Sequence, residues 1–335
     1  MKIKRPFIVV VVTFGIILPV ILIIINSGRL FRLDDGSSKW RSDQIKIIQY
    51  LYPAARCVKL AEDNQIEIDQ SYKADLEKYT AKLFQKLDTS RLWVNYLGQL
   101  VWLSDHYGFG RSAYLLQEMQ KHYYDEIGLF TFESDEMRAM TGEKDAIWAT
   151  CETYRYLKHD RNHLKHFNVN DGLSRFLAKY NHEESGDDEQ IGWATLWEVA
   201  SILEESGNED MVPWNKVVEV AEHELNDDYY QDLMNGKYSD SIAMIGVANS
   251  LSDYMIRIRN NTGCENLGQQ IYEELDSEEE CGYYKDDPLF VLYFAMIQDA
   301  EDLKGNEFIC SNYSNWLTEN YHTSIENILI SALGD

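Results

Sequence analysis

Carboxylates recur where a repeated sequence pattern begins. Trp-Ala-Thr occurs at 148–150 and again at 193–195, and each copy opens an apolar stretch. Asp145, Glu189 and Asp240 lie just before such stretches or at their start. Two carboxyl groups about 5 to 9 Å apart are what glycoside hydrolysis needs, one as the acid and one as the base or nucleophile. These three residues are therefore candidate catalytic groups, and helix capping is the alternative role.

Three tryptophans lie at the same level of the repeat. Trp93, Trp148 and Trp193 each stand three residues after the polar start of an apolar segment. Flat aromatic faces can stack on sugar rings or on apolar chains. We predict that the three indoles contact a ligand, with packing between neighbouring helices as the alternative.

Two glutamates interrupt the apolar segments themselves. Glu152 and Glu198 each lie about two turns into a stretch that is otherwise apolar. A charge at that depth must face a cavity, pair with another group or shift its pKa. We predict that both contribute to the ligand site, while pairing with Arg155 or with a tyrosine hydroxyl is the structural alternative.

Three histidines follow at spacings of four and three residues. His159, His163 and His166 would lie on one face of a helix, an arrangement that can bind zinc. The lysines and the arginine between them would repel a cation, so the sequence predicts no metal site. It also lacks the glycine-rich motifs that cradle phosphates, and no cofactor is expected.

These residues need helices that begin at regular intervals. Segments such as Asp69–Leu87 carry an apolar residue every three or four positions, which is typical of an amphipathic helix. Strand patterns are weak. Polar-to-apolar switches occur at Asp43, Ser90, Asp145, Gln190, Asp240, Asp287 and Ser324. We predict an all-α fold of about six hairpins, in which apolar inner helices alternate with amphipathic outer helices and close into an α/α toroid.

The turns before the inner helices carry a family resemblance. Residues Tyr123–Phe130 read YYDEIGLF, and YYQD at Tyr229–Asp232 leads to Gly236–Tyr238. These phrases look like degraded forms of the Asp-Gly-Gly-aromatic turn of terpenoid cyclase-like proteins. From Trp40 to Asp335 the chain resembles the six-hairpin α/α toroids, which include terpenoid cyclase and prenyltransferase-like proteins and several glycosidase families. The resemblance implies a fold with a central funnel, whereas the cyclase proton donor and the prenyltransferase zinc ligands have no counterpart. Closure of such a ring requires contact between its first hairpin and its last helix.

The N-terminus predicts a membrane anchor. Phe7–Ile25 is a run of 19 residues without a charge, which is long enough at about 1.5 Å per residue to span a hydrocarbon core of about 30 Å. We predict a transmembrane signal-anchor at 1–27, a polar linker at 28–39 and the toroid domain at 40–335. The short basic segment before the apolar run favours a cytoplasmic N-terminus and an extracytoplasmic body.

The charge balance restricts the partners. The chain has 31 Lys and Arg against 56 Asp and Glu, a formal net charge of −25. Such a surface repels a phosphate backbone, so nucleic acid is not an expected partner. Five cysteines in 335 residues do not form a disulfide scaffold, and we expect packed thiols.

Together these features predict a membrane-anchored toroid that binds a glycan or a peptide-like ligand in its funnel. Hydrolysis of a glycosidic bond is the activity that paired carboxylates would support. Two alternatives stay open: a non-catalytic surface module whose acidic outer face contacts a basic protein, and an enzyme that handles prenyl or terpene chains. The sequence sets no oligomeric state.

Overall fold

The protein is mostly helical wherever the structure describes it. The computed structural model describes residues 36–133, 142–157, 161–180, 192–224, 254, 257–258, 317–319 and 321–333. Its α-helices are α1 Gly36–Asp63, α2 Gln70–Lys86, α3 Val94–His106, α4 Ser112–Gln120, α5 Glu143–Leu157, α6 Arg161–Leu164, α7 Val169–Lys179, α8 Trp193–Glu205, α9 Trp214–Glu224 and α10 Glu326–Leu333. A 3-10 turn at Glu209–Met211 precedes α9, and a π-helical turn at Tyr321–Ile325 leads into α10. The predicted all-α class is confirmed for these residues.

The described residues group into two compact units. One contains the described residues from 36 to 169 and from 317 to 333, and we call it the terminal unit because it holds the first and the last helix. The other contains the described residues from 170 to 258, and we call it the middle unit. The predicted domain at 40–335 stays a prediction.

Helix α2 shows why the amphipathic segments fold. Asp69 precedes it in extended conformation, and its carboxylate accepts a hydrogen bond of 2.8 Å from the Ser71 backbone N–H. That bond satisfies a donor which the first helical turn would otherwise leave without an acceptor. Tyr72, Leu76 and Leu83 recur on one face and are buried. The predicted amphipathic helix is confirmed here.

The apolar helices α3 and α8 begin differently from the sequence expectation. Trp93 and Gly192 precede them with extended backbone, and neither start carries a side-chain cap. Ser90, the expected start of α3, instead donates to the Asp88 carboxylate from its backbone N–H at 3.0 Å and its hydroxyl at 2.7 Å. The short polar residue forms a local turn, because side chain to backbone bonding competes with helix capping.

A small β-hairpin precedes α5. Strand β1 is Tyr123–Tyr124 and strand β2 is Leu129–Phe130, paired antiparallel with Tyr123 opposite Phe130. Gly128 turns the chain at a φ of 69°, a conformation that favours glycine. The turn that suggested the family resemblance is therefore a tight hairpin. Its Phe130 backbone N–H donates to the Thr150 hydroxyl at 2.8 Å, which ties the hairpin to α5.

The first hairpin and the last helix of the chain are in contact. Lys86 Nζ at the end of α2 donates to the Leu333 carbonyl of α10 at 3.2 Å. The Tyr72 ring of α2 lies 4.3 Å from the Tyr321 ring. This confirms the contact that ring closure requires.

The beginning of the described chain corrects one boundary. Helix α1 starts at Gly36, inside the predicted linker 28–39 and ahead of the expected start at Asp43. Its early turns are held by tertiary contacts, since Trp40 Nε1 donates to the Lys86 carbonyl at 3.2 Å and Arg41 Nη2 to the Arg91 carbonyl at 2.9 Å. The predicted anchor helix at 7–25 lies outside the described residues. None of the helices in the described segments combines the length and apolar character needed to cross a bilayer.

Candidate functional site

Helices α1, α3 and α5 of the terminal unit run parallel, so residues at the same level of the repeat lie side by side. Gln49 Nε2 of α1 donates to the Tyr96 hydroxyl of α3 at 3.0 Å, and Asn95 Nδ2 of α3 donates to Glu152 Oε2 of α5 at 3.0 Å. A methyl group on Gly98 would lie 3.4 Å from Tyr156, so α3 and α5 are close neighbours at this level. The N-terminal ends of α3 and α5 therefore lie on one side.

Trp93 is the best-placed aromatic residue at this end. It immediately precedes α3 and is partly exposed. Its ring stacks on Tyr96 with centroids 6.0 Å apart and an interplanar angle of 15°, and Phe132 packs against it at 5.8 Å. The Val94 N–H donates to the Phe132 carbonyl at 3.2 Å, which fixes the helix start against the segment after the hairpin. The indole is thus held in place while part of it stays open to a ligand.

Glu133 is a carboxylate that the sequence interpretation missed. It follows Phe132 directly and lies beside Trp93. Burial raises the pKa of Glu133, while the Arg41 charge and a hydrogen bond from Trp93 act in the opposite direction. A carboxyl with a raised pKa at the edge of an indole ring is suited to hydrogen bonding with sugar hydroxyls or to acid catalysis. Its only sequence signal was its position just after the hairpin.

Asp145 lies in the first turn of α5 and is half-buried. Burial raises its pKa, and Lys144 together with a hydrogen bond from the Gly142 backbone N–H oppose the increase. The structure thus places Asp145 inside the helix, two residues after its first residue, Glu143, instead of at a cap. Partial burial therefore favours the protonated form of this carboxyl.

Trp148 is less open than Trp93. The Lys144 ammonium lies 5.0 Å from the centroid of its ring and covers one face. The indole Nε1 is buried and has no hydrogen-bond acceptor within the segments that the structure describes. Trp148 therefore lies at the predicted level, but a ligand would have to displace the lysine to stack on that face.

Glu152 is buried, with 9 % of its surface exposed. One partner is the Asn95 amide, and its charge adds to the burial that raises the pKa of the Tyr96 hydroxyl. Pairing of Glu152 with Arg155 or with a tyrosine hydroxyl stays a prediction. The amide reaches Glu152 because α3 packs in register with α5.

Four predicted residues remain. Glu189 and Asp240 lie outside the described residues. Trp193 opens α8 in the middle unit, is 0 % exposed and packs 6.1 Å from Tyr254. Its predicted ligand contact is corrected to a core position, because an indole without accessible surface offers no stacking face. Glu198 is partly exposed on α8.

A serine, an aspartate and a histidine form a hydrogen-bonded chain elsewhere in the terminal unit. The Ser112 hydroxyl bonds Asp105 Oδ1, and Asp105 Oδ2 bonds His163 Nε2 at 2.6 Å. The aspartate lies between the other two residues, so the imidazole does not bond the serine hydroxyl as a nucleophilic triad requires. His163 therefore joins α6 to α3. His159 lies outside the described residues, and within the described ranges no three His, Cys, Asp or Glu side chains cluster as metal ligands.

Comparison with known proteins found no similar protein. No family model, no curated protein and no solved structure matches the chain.

Proposed function

We propose that this protein is a membrane-anchored, extracytoplasmic α/α toroid that binds a glycan through the N-terminal ends of its inner helices. Alternation of apolar and amphipathic helices supports the toroid, as does the contact of Lys86 with Leu333. The anchor is supported by the uncharged run at 7–25. Recognition would use a rim cluster, which we define as Arg41, Trp93, Glu133, Asp145 and Trp148.

One observation carries the glycan proposal. Trp93 is partly exposed, and Tyr96 and Phe132 fix its ring beside the Glu133 carboxyl. A rigid indole supplies contact area at a low entropic cost, and an adjacent carboxyl supplies directional hydrogen bonds. Sugars need both, because each ring has an apolar face and an edge of hydroxyls.

Hydrolysis is the second candidate activity. Asp145 and Glu133 both have raised pKa values caused mainly by burial. A general acid must keep its proton near the working pH, and burial is the usual way to achieve this. On this proposal Asp145 or Glu133 protonates the leaving oxygen, and a second carboxylate acts as base or nucleophile.

A glycan array with the full chain in mild detergent tests the proposal. Trp93→Ala should weaken binding of the selected glycan by about 1 to 3 kcal/mol, by analogy with the loss of a stacking aromatic in nucleic-acid binding. Trp40→Ala is the matched control, because Trp40 bonds the Lys86 carbonyl outside the rim cluster. Equal binding by wild type, Trp93→Ala and Trp40→Ala would refute the rim cluster as the site and favour the surface module.

Hydrolysis is checked separately with the same glycan. If Asp145 is the acid, Asp145→Asn should abolish turnover but keep binding. If Glu133 is the acid, Glu133→Gln should do the same. Unchanged turnover in both variants would exclude these two residues from the chemistry.

A further inference from the structure

A buried cation lies at the other end of the same helices. Arg56 of α1 is 8 % exposed, and its guanidinium carbon lies 5.1 Å from the Trp102 ring centroid and 5.8 Å from that of Tyr52. Rings at these distances attract the positive charge through their negative faces. They do not accept the five N–H groups that the guanidinium projects in its own plane.

Those donors have no acceptor in the part of the chain that the structure describes. Arg56 has ring contacts there but neither a hydrogen bond nor an ion pair. The two acids nearest along the chain have other partners, since Glu62 pairs with Lys73 at 2.9 Å and Asp63 pairs with Lys59. No Arg56 nitrogen is among the sealed polar atoms of the described residues, so the group opens to solvent-accessible space. Solvent or a bound anion must therefore supply the acceptors for this guanidinium.

The surrounding rings pack against one another with defined geometry. Tyr52 meets Trp102 and Tyr156 edge to face, with centroids 5.3 Å apart and an interplanar angle of 84° in both pairs. His106 stacks on Trp102 at 4.6 Å and 14°. Tyr52 and Tyr156 are buried, whereas Trp102 and His106 are partly exposed, so the group reaches the surface.

Local charge also favours an anion here. Burial, with smaller contributions from the charges of Lys59 and Lys73, lowers the pKa of His106 to about 4, so the imidazole is neutral at pH 7. With Glu62 and Asp63 paired to the two lysines, Arg56 is left as the excess charge. In a chain of formal charge −25 this is a local positive site.

We propose that the Arg56 cluster, which we define as Tyr52, Arg56, Trp102, His106 and Tyr156, binds a small organic anion. The guanidinium would hold a carboxylate or phosphate group through parallel N–H bonds, and the rings would cover the planar or apolar part of the molecule. The cluster lies toward the C-terminal ends of α1, α3 and α5, whereas the rim cluster lies at N-terminal ends. The two proposals therefore stand or fail independently.

Isothermal titration calorimetry on the full chain in detergent at pH 7 tests this site. Benzoate and benzamide have the same shape and differ in charge, so benzoate should bind at least about tenfold more tightly if the guanidinium recognises the anion. Acetate and inorganic phosphate lack a ring and should bind more weakly than benzoate and phenyl phosphate. The tighter of the two aromatic anions identifies the preferred group. No heat with any anion, or equal affinity for benzoate and benzamide, would overturn the proposal.

Variants locate the binding. Arg56→Gln should weaken benzoate binding about tenfold or more. Arg111→Gln is the exposed control and Arg257→Gln the control whose arginine already pairs with a carboxylate, and both should bind as wild type does. Circular dichroism and melting verify folding. If Arg56→Gln does not fold, Arg56→Lys keeps the charge but loses the planar fork and should bind several-fold more weakly. Wild-type affinity in whichever of these variants folds would refute the site.

Discussion

Two arginines lie over pairs of aromatic rings, one in each unit, and they differ in what satisfies their donors. In the middle unit the Arg257 guanidinium lies 5.0 Å from the Trp214 ring centroid and 5.5 Å from that of Trp197, and its Nη2 pairs with Glu204 Oε1 at 2.8 Å. In the terminal unit Arg56 has comparable ring contacts, but none of the described residues supplies a carboxylate. The ring contacts alone would make the two clusters look equivalent.

The difference shows that aromatic rings and a counter-ion have separate roles in stabilising a guanidinium. Ring faces attract the delocalised charge from above and below, whereas a carboxylate satisfies the N–H groups at the edge. Arg257 has both, so its cluster is complete as a structural element. Arg56 has only the first, which is why we assign a ligand to one cluster and not to the other.

The largest expected effect is on the free energy of unfolding, and it distinguishes Trp197 beside Arg257 from Trp102 beside Arg56. Trp197 is 1 % exposed and packs edge to face on Trp214 and Tyr254, so Trp197→Ala should lower the free energy of unfolding by about 3 to 5 kcal/mol. Trp102 is partly exposed, and Trp102→Ala should cost less, under about 3 kcal/mol. Urea unfolding followed by circular dichroism measures both. A larger loss for Trp102→Ala would mean that the Arg56 cluster is more tightly packed than the rings around Arg257.

Replacing each arginine by an apolar side chain should give effects of opposite sign. Arg56→Met removes a buried charge without a carboxylate partner, so it should raise the free energy of unfolding by about 1 kcal/mol in the absence of added anions. Arg257→Met leaves Glu204 without its partner and should lower it by about 0.5 to 1 kcal/mol, as expected for a partly exposed pair. Thermal melts in buffer of low anion concentration compare them. Greater destabilisation by Arg56→Met would show that Arg56 is a structural residue.

Acidification should affect the Arg56 cluster through His106. The ordinary pKa of 6.5 is lowered to about 4 in the fold, so the unfolded chain binds the proton first. The contribution of neutral His106 to the free energy of unfolding is complete above pH 6.5 and is lost as the pH falls from 6.5 toward 4. Lys59, Lys73 and Arg56 would repel the charged ring, and Glu62 would attract it.

Melting temperatures between pH 7.5 and 4 check this titration. His106→Gln should flatten the decline in that window, whereas His166→Gln, at an exposed position, should follow the wild type. An identical decline in the His106 variant would show that other groups carry the pH dependence.

The smallest expected effect concerns two carboxylates, Glu204 and Glu133, which also differ in how they are paired. Glu204 has Arg257 within 2.8 Å, whereas burial raises the pKa of Glu133 despite Arg41 and Trp93. A raised carboxyl pKa means that the folded state holds the proton more tightly, so its contribution to stability is present below about pH 4.5 and is lost as the pH rises through the folded pKa. Glu133→Gln should therefore melt slightly higher than wild type at pH 7 and not at pH 4. Glu67→Gln, at an exposed position, is the control, and the same gain in both variants would refute the assigned cause.

Helical periodicity was sufficient to predict α2 and the levels of two tryptophans. Apolar spacing in 69–87 predicted α2, and the repeat spacing placed Trp93 and Trp148 near the same ends of α3 and α5. The local signals were weaker at helix starts. Ser90 forms a turn with Asp88 and Asp145 lies inside α5, because several local hydrogen-bonding options have similar energies and tertiary contacts select among them.

The sequence by itself determined that the described chain would be helical and which faces would be apolar, since periodicity depends only on the residues along one helix. Only tertiary structure decided which aromatic residues stay open. Trp93 and Trp193 occupy equivalent positions in the repeat, yet one is partly exposed and the other is 0 % exposed. Tertiary packing also partly buried Glu133 and left Arg56 over two rings without a described carboxylate. Burial and partner choice depend on residues far apart in the chain, so no local pattern encodes them.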